Sequence, residues 1–381
     1  MRRFAIKSDR LVLPSGIDGF GYLIVEDGVF GEVSVEEPKD MPVIDHMGHW
    51  VAPGLVDTHI HGYLGHDVMD ATPEAIDAIS AGLASVGTTG WLATTMSAPA
   101  AETAAACAAV GRYREGRQEG ARTLGVFLEG PFFTEEHAGA QDPSFLVDPS
   151  LELLDAWQDA AGGCIVKSAL APERAGATAY IRGARERGVI CALGHSSATY
   201  GQGAQCVLAG ANVVVHTFNG MADLGHRDPG LVGLAMCSQG VYAELIADGV
   251  HVDPVACEAL VRAKGFEHVA LVSDCLMPAG LTDAELSQLE VPVDLRNGAC
   301  YLAGTDTLAG SVLTLARAVK NVCDWGVVTA EQAIRMASEV PARSVGLDGV
   351  CGQILPGRSA DLTILDGELN LVETFVRGRR Y

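Results

Sequence analysis

Residues 51–62, with the sequence VAPGLVDTHIHG, mark the point at which the character of the chain changes. Before them, polar and apolar residues alternate with frequent glycine, which predicts short antiparallel strands and no long helix. After them, short apolar runs are followed by alanine-rich helical stretches, and this repeats as far as about Gly346. The alternation predicts a parallel sheet covered by helices, in which the first strand ends near Asp57.

Apolar runs of strand length recur along the middle of the chain. Seven of them follow the first strand, at residues 90–95, 123–128, 164–170, 189–193, 213–216, 242–246 and 269–272. Predicted helices lie at residues 73–86, 101–114, 175–187, 311–325 and 329–345. With the strand near Asp57 the strands number eight, which is the number that closes a TIM-like (β/α)8 barrel in the α/β class.

Short strands return after Gly346, with a turn at residues 352–357 and a strand at 363–365. We predict that the two ends of the chain pair into one small β-sandwich domain. Its segments are residues 1–51 and 347–381, and residues 52–346 form the catalytic barrel. The sequence contains no short-period repeat, which argues against a solenoid.

Composition and charge narrow the classes of partner. Of the 381 residues, 48% are hydrophobic and 19% charged, and 26 basic against 48 acidic residues give a formal net charge of −22. Such a charge repels nucleic acid and anionic membranes, so we expect neither as a partner. No apolar run reaches the roughly 18 residues needed to span a bilayer, and charges interrupt the first residues before a signal region can form. The ten cysteines have no CxxC spacing; we expect reduced thiols and a cytoplasmic protein.

Chemistry-bearing side chains follow the predicted strands where each strand ends. The carboxyl ends of the strands meet at one face of such a barrel, and catalytic groups gather at that face. Each of these residues by itself could be an ordinary hydrogen-bonded polar residue at a strand end and not a metal ligand. Together they make up a ligand set suited to Zn²⁺, Fe²⁺, Mn²⁺ or Co²⁺. The candidate ligands are His59, His61, Glu129, His195, His216 and Asp274.

On these motifs the sequence resembles the amidohydrolase superfamily and, within it, the N-acetylglucosamine-6-phosphate deacetylases. The resemblance covers nearly the whole chain. The HxH pair and Asp274 are general to the superfamily, whereas Glu-Gly-Pro, His-x-Phe-Asn and Ala-Asp-Gly-x-His are specific to the deacetylase branch. The segments that carry the resemblance are residues 52–62, 128–133 (LEGPFF), 193–196 (LGHS), 216–221 (HTFNGM), 226–231 (HRDPGL), 245–251 (LIADGVH) and 308–311 (LAGS).

The resemblance implies one or two divalent metal ions. It assigns Glu129, His195 and His216 to one ion and the pair His59 and His61, with Asp274 nearby, to a second. Some family members lack the HxH pair and use a single metal. Many superfamily members bridge two metals with a carboxylated lysine, but in this branch a glutamate does so, which leaves Lys167 a structural role. We interpret Cys275 as a buried thiol.

The resemblance also implies the reaction. A metal-activated water attacks the acetyl group of a phosphorylated N-acetyl amino sugar, with Asp274 as general base and then general acid. Phosphate is held by the backbone around Asn219 and Gly220, by His251 and by Arg227 of a neighbouring subunit, so a homodimer is expected. The full set of expected substrate-binding residues is Ala140, Gln141, Asn219, Gly220, Arg227, Asp248, His251, Leu308, Ala309 and Gly310.

Three alternatives remain open from the sequence. The first concerns the oxyanion: Gln141 stands where some members place a histidine, and either Gln141 or His137 could supply the hydrogen bond. The second concerns the sugar, since N-acetylgalactosamine 6-phosphate differs from the glucosamine substrate at one hydroxyl. The third is a non-catalytic scaffold with the same fold, which should have lost ligands that this sequence keeps.

Overall fold

Short strands fill the N-terminal part of the protein, as the alternating pattern predicts. The computed structural model describes residues 3–287 and 293–381. Its first strands are β1 (Arg3–Ser8), β2 (Leu11–Leu13), β3 (Gly16–Asp18), β4 (Gly21–Glu26), β5 (Val29–Ser34), β6 (Val43–Asp45) and β7 (Trp50–Pro53). A four-stranded sheet has the order β5-β4-β1-β6, in which β1 pairs antiparallel with β4 and parallel with β6.

Eight parallel strands form the central sheet. The next strands along the chain are β8 (Leu55–Ile60), the short hairpin β9 (Gly62–Tyr63) and β10 (His66–Asp67), β11 (Thr88–Thr94), β12 (Arg122–Phe132), β13 (Ile165–Leu170), β14 (Ile190–Leu193), β15 (Val213–Val214), β16 (Tyr242–Leu245) and β17 (Val269–Leu271). The sheet runs from β8 through β11 to β17 in chain order. A backbone bridge between Ile60 and Cys275 joins the two ends, and the amide of Asp274 donates to the carbonyl of His59 at 2.9 Å. The predicted (β/α)8 barrel is confirmed.

Helices surround the barrel. They are α1 (Pro73–Ser85), α2 (Ala100–Glu115), α3 (Leu151–Ala160), α4 (Ala177–Glu186), α5 (Tyr200–Ala209), α6 (Gly230–Cys237), α7 (Pro254–Lys264), α8 (Asp283–Leu286), α9 (Leu315–Asp324), α10 (Ala330–Met336) and α11 (Glu339–Ser344). Helix α1 begins where predicted because the Thr72 side chain caps the amide of Ala75 and Pro73 occupies the first turn. Within residues 3–287 and 293–381, none of the helices has the length and apolar character that crossing a bilayer requires.

The predicted helix at residues 329–345 is wrong as a single helix. The chain forms α10 and α11 instead, with a break at Ala337 and Ser338. Pro341 has no amide hydrogen to donate to the carbonyl of Ala337, four residues earlier. That carbonyl accepts from the amide of Val56 in β8 at 2.9 Å. A barrel strand therefore takes the place of the missing helical hydrogen bond.

A small antiparallel sheet lies between the last barrel strand and α9, and the sequence patterns did not predict it. Its strands are β18 (Val293–Arg296), β19 (Ala299–Leu302) and β20 (Leu308–Ser311). An isolated bridge links Ser311 to Cys275, four residues after the end of β17. Because Ser311 belongs to β20, the following helix begins at Leu315 and not at residue 311 as predicted.

The two ends of the chain share one sheet, as predicted. The last strands are β21 (Leu362–Leu365), β22 (Leu371–Val376) and β23 (Arg379–Arg380), and they join β7, β2 and β3 in the order β23-β22-β21-β7-β2-β3. Residues of this sheet and of the four-stranded sheet pack into one apolar core, in which the rings of Phe4 and Phe375 stack at 5.8 Å. The exact domain limits at residues 51 and 346 stay a prediction.

Side chains fill the interior of the barrel. Apolar residues from successive strands form one cluster there, together with Ala342 of α11 and Val345. Lys167 of β13 and Glu244 of β16 are also fully buried. The barrel is thus a packed core and not a pore, as expected of this fold, and its chemistry lies at the carboxyl ends of the strands.

Candidate metal centre and substrate cavity

The six predicted metal ligands lie together at the carboxyl ends of the barrel strands. They are all buried: His59 in β8, His61 just after it, Glu129 in β12, and His195, His216 and Asp274 just after β14, β15 and β17. Their nitrogen and oxygen atoms form three overlapping groups in which all atoms lie within 4.8 Å of one another. The fold therefore brings every predicted ligand to one point.

The carboxylate of Glu129 is at the centre of this cluster. Its Oε1 atom lies 3.0 Å from Nε2 of His59, and 3.3 Å and 3.2 Å from Nε2 of His195 and His216. Its Oε2 atom lies 3.2 Å from Nε2 of His61. One carboxylate thus faces all four imidazoles, three of them through Oε1 and His61 through Oε2.

Asp274 completes the cluster on the side of the HxH pair. Its Oδ1 atom lies 3.3 Å from Nε2 of His61 and 3.5 Å from Nε2 of His59. The backbone has a positive φ at Asp274 (48°), His195 (46°) and His216 (25°). Such angles are uncommon for residues other than glycine and tend to occur at functional sites. Here they are found at three strand ends whose side chains turn into the mouth of the barrel.

The imidazoles of His195 and His216 are oriented as metal ligands. Nδ1 of His195 lies 2.8 Å from the carbonyl oxygen of His137, and Nδ1 of His216 lies 3.0 Å from that of Asn219. A carbonyl only accepts, so both Nδ1 atoms donate, and in the neutral rings both Nε2 atoms carry lone pairs. These two Nε2 atoms are 3.0 Å apart, where lone pairs repel unless a cation lies between them. Tetrahedral ligands on bonds of about 2.0–2.1 Å lie about 3.3 Å from one another, so the donor set fits a divalent metal.

Glu244 is a functional candidate that the sequence reasoning missed. Its Oε2 atom lies 2.9 Å from Nδ1 of His59, so Nε2 of that ring faces the cluster. Its Oε1 atom accepts from the ammonium of Lys167, which also donates to the carbonyl of Thr58 at 3.1 Å. Lys167 is thus engaged by the side chain of Glu244 and the main chain of Thr58, and its structural role stays a prediction. The sequence could have indicated this pair, because an acidic residue lies inside the apolar strand YAEL and a lysine inside the apolar strand IVKSAL.

Electrostatics at the cluster favour a bound cation. Burial would raise the pKa of Glu129, but His59 and the other imidazoles around it hold that pKa well below its ordinary value. Burial acts the same way on Asp274, and His59 and His61 outweigh it, so its pKa is also lowered. Burial opposes charge on the two histidines, yet the carboxylates raise the pKa of His59 to about 9 and of His61 to about 10. A divalent ion can supply the positive charge that protons otherwise supply.

A cavity of about 230 Å³ opens onto the cluster. It is lined by His61, Met96, Glu129, Gly139, Ala140, Gln141, His195, His216, Asn219, Gly220, His251, Asp274, Thr307, Leu308, Ala309 and Gly310. Eight of the ten expected substrate-binding residues are among them; Met96, Gly139 and Thr307 were not predicted. The sheet β18–β20 supplies the lining from Leu308 to Gly310.

Two expected substrate-binding residues do not line this cavity. Asp248 lies behind it, with Oδ2 2.6 Å from Nδ1 of His251. Nε2 of His251 is buried and has no hydrogen-bond partner within the described parts of the chain, so it is free to bind a ligand. Arg227 is exposed on the loop before α6 and lies outside the lining.

Gln141 is already engaged in the cluster. Its Nε2 atom donates to Oε2 of Glu129 at 2.9 Å, and its Oε1 atom accepts from the amide of Ser97 at 2.6 Å. The side chain of His137 lies outside the cavity lining, and its carbonyl is the group that contacts His195. Gln141 lines the cavity and the side chain of His137 does not, and the assignment of the oxyanion contact to either residue stays a prediction.

Cys275 acts through its backbone. Its carbonyl accepts from the amides of His61 and Gly62 at 2.9 Å and 3.1 Å, which anchors the segment after β8. The thiol is buried, and burial raises its pKa well above the ordinary value. A thiol of this kind stays protonated at neutral pH and is a poor metal ligand.

Comparison with known proteins identifies the same family that the sequence motifs resemble. The sequence model of the Amidohydrolase family matches residues 50–380. The chain is 39% identical over 327 residues to N-acetylglucosamine-6-phosphate deacetylase of Vibrio furnissii, covering 86% of this chain and 82% of that protein. It is 35% identical over 374 residues to N-acetylgalactosamine-6-phosphate deacetylase of Escherichia coli O157:H7, covering 98% of each. A solved structure of N-acetyl-D-glucosamine-6-phosphate deacetylase from Mycobacterium smegmatis, in complex with N-acetyl-D-glucosamine-6-phosphate, has a TM-score of 0.90 at 27% identity and covers 100% of this chain and 99% of that one.

Proposed function

The chain belongs to the amidohydrolase family, in its N-acetylglucosamine-6-phosphate deacetylase branch, and on that premise we propose that it hydrolyses N-acetyl-D-glucosamine 6-phosphate to D-glucosamine 6-phosphate and acetate. One observation carries the proposal. The carboxylate of Glu129, surrounded by four imidazoles, forms the wall of a cavity that eight of the ten expected substrate-binding residues also line. A water positioned at this wall would meet the acetyl group of a sugar held in the cavity.

We propose one or two divalent ions per subunit, of Zn²⁺, Fe²⁺, Mn²⁺ or Co²⁺, and the pair His59 and His61 favours two. Glu129, His195 and His216 would hold one, and the other would be held by His59 and His61 with Asp274. When bound, such ions lower the pKa of water toward neutrality and polarise the amide carbonyl. The chemistry of the donor set supports this assignment, because imidazole and carboxylate groups suit these metals.

Asp274 is the residue we assign to proton transfer. Its carboxylate lines the cavity beside His61, where it would accept the proton of the attacking water. After the acetyl carbon has been attacked, Asp274 returns that proton to the nitrogen of the leaving amine. Its position at the cavity wall allows both transfers without a second acid.

The phosphate would be bound at the end of the cavity formed by Asn219, Gly220 and His251. Nε2 of His251 supports this, since a buried polar atom without a partner favours a ligand there. We assign Arg227 to the phosphate of the neighbouring subunit in a homodimer. The exposed position of Arg227 is compatible with such a contact, and it would offset the net charge of −22 that opposes an anionic substrate.

We also propose a cytoplasmic location. The ten cysteines are all free within the described residues, which suits a reducing compartment. A sugar phosphate carries charge that hinders its passage through a bilayer, so its hydrolase is needed where it is made. Cell fractionation would test this: the protein should stay with the cells when their periplasmic content is released, while a periplasmic marker is released.

N-acetylgalactosamine 6-phosphate is a second candidate substrate. The galactosamine enzyme of Escherichia coli aligns with 98% of this chain, a greater share than the 86% aligned with the Vibrio enzyme, although its identity is lower. The two sugars differ in the configuration of one hydroxyl. The ligand cluster and the proton transfer would be the same for both.

Acetate release tests the proposal. The metal-loaded protein is assayed with both sugar phosphates and with unphosphorylated N-acetylglucosamine. We expect release that depends on the phosphate and falls by about 10²–10⁴-fold in Asp274→Asn, as for loss of a general acid-base. Asp324→Asn, the same change at an exposed position of α9, should have wild-type activity. The absence of release from all three sugars by protein with bound metal would exclude the proposed reaction.

A further inference from the structure

Glu244 and Lys167 form a buried ion pair that the proposed chemistry does not use. Both residues are fully buried in the barrel, in β16 and β13, with β14 and β15 between their strands. Their side chains therefore meet across the interior, where the Lys167 ammonium also lies 3.6 Å from the centre of the Phe127 ring. The pair is part of the barrel core and not of its surface.

Stability alone does not explain such a pair. Removing two charges from water is costly, and replacing a buried ion pair by apolar residues is often neutral or stabilising. The contacts of Glu244 and Lys167 beyond each other suggest another role. The second carboxylate oxygen of Glu244 lies 2.9 Å from Nδ1 of His59, and Lys167 donates to the carbonyl of Thr58, the residue before it. The pair thus holds both the ring of His59 and the strand that carries it.

His195 and His216 are oriented by a different kind of partner from that of His59. His195 and His216 donate from Nδ1 to main-chain carbonyls. Of these three histidines, only His59 depends on a side chain for its orientation. A change at Glu244 should therefore affect the metal position of His59 and His61 and spare the position of His195 and His216.

We infer that Glu244, itself held by Lys167, is a positioning residue that fixes His59 with Nδ1 donating and Nε2 directed at the metal position formed with His61. The inference rests on the proposed two-ion centre. Partners of this kind orient metal-bound histidines, and their loss commonly weakens metal binding by about 10–100-fold. Lys167 balances the charge of Glu244, which would otherwise be a buried carboxylate without a cation.

Two double variants separate the hydrogen bond from the ion pair. Lys167→Met with Glu244→Gln removes both charges but leaves an amide oxygen that can accept from Nδ1 of His59. Lys167→Met with Glu244→Leu removes the acceptor as well. Neither leaves an unpaired buried charge, which is the main threat to folding of a single substitution. The two proteins differ only in the group that faces His59, so each is the control for the other.

Metal binding without substrate is the measurement. Protein from which a chelator has removed the metal is titrated with Co²⁺, and the heat of binding and the visible absorption are recorded. Thermal melting checks that the metal-free proteins are folded. We expect two ions per subunit in the wild type, and two in the glutamine variant with affinities within about threefold. The leucine variant should keep the tighter ion and bind the other about 10–100-fold more weakly.

Equal binding of both ions by the two variants would overturn the inference, as would a wild-type protein that takes up one ion only. If the leucine variant does not fold, the tautomer of His59 in the zinc-loaded wild type provides the test by long-range ¹H–¹⁵N NMR. A proton on Nδ1 with metal-bound Nε2 is expected, and metal on Nδ1 would contradict it. Metal binding is measured without substrate, so a wild type that binds two ions but releases no acetate in the separate activity assay would refute the proposed reaction and leave this inference standing.

Discussion

The two sides of the metal cluster are oriented by different kinds of partner. On the first side, His195 and His216 donate to the main-chain carbonyls of His137 and Asn219. On the second side, His59 is oriented by the side chain of Glu244. Main-chain carbonyls are fixed by the fold, whereas a side-chain partner can be replaced by one mutation. The first side should therefore be the more rigid and the second the more easily tuned.

The two sides share the carboxylate of Glu129, and His59 of the second side meets the same oxygen as the first side. Oε1 faces the Nε2 atoms of His195, His216 and His59, and Oε2 faces His61. The resemblance to the family implies that the first side alone can hold a metal, because some members lack the HxH pair. The comparison thus predicts a hierarchy, in which the shared carboxylate matters most, the first side next and the second side least.

Glu129→Gln should have the largest effect, because it removes the charge shared by both sides. We expect loss of both ions and a fall in kcat/KM of at least about 10⁴-fold, or roughly 5 kcal/mol of transition-state stabilisation. Metal analysis and steady-state kinetics measure the two effects. Glu258→Gln, on the outer helix α7, is the matched control, and two ions retained in Glu129→Gln would show that the comparison is wrong.

His216→Ala breaks the first side alone. The expected result is loss of the tightly held ion and a fall in kcat/KM of about 10³-fold, or roughly 4 kcal/mol. The exposed histidine His226 provides the control substitution, His226→Ala. If His216→Ala were no more damaging than the loss of a histidine on the second side, the proposed hierarchy would fail.

His61→Ala breaks the second side. Its Nδ1 atom has no hydrogen-bond partner in the described residues, so the substitution removes only the contacts of Nε2. We expect one ion per subunit to remain and kcat to fall by about 10–100-fold. Kinetics at saturating metal would reveal the effect, and a protein that lost both ions would indicate that the two positions cannot be separated.

Gln141→Met should have the smallest effect. The substitution removes the hydrogen bond to Oε2 of Glu129 and leaves the amide of Ser97 without its acceptor, at nearly constant volume. A fall in kcat of about 10-fold is expected with both ions in place. Gln239→Met, at an exposed position, is the control. A fall of 10³-fold would assign Gln141 a direct part in stabilising the oxyanion instead.

Much of the fold could be predicted because buried parallel strands are continuous apolar runs. The break between α10 and α11 could not, since it depends on Pro341 together with a hydrogen bond from the distant Val56. The sheet β18–β20 escaped prediction because its first strand, VDLR, is mostly exposed and has the polar character of a loop.

The ligands of the candidate site were predictable for a related reason. A histidine or carboxylate that ends an apolar strand is unusual enough to attract attention, and the barrel brings such ends together. Glu244 was missed because its role depends on His59, which is 185 residues away in the sequence. The role of Arg227 stays a prediction because its expected partner lies in another subunit.

Removal and restoration of metal test the central claim most directly. Acetate release from N-acetylglucosamine 6-phosphate is followed while a chelator strips the protein, and again after Zn²⁺, Fe²⁺, Mn²⁺ or Co²⁺ is returned. Loss of activity in parallel with loss of metal, and recovery with at least one of these ions, is the predicted result. Full activity in protein shown to be free of metal would contradict the assignment of the histidine and carboxylate cluster as a catalytic metal centre.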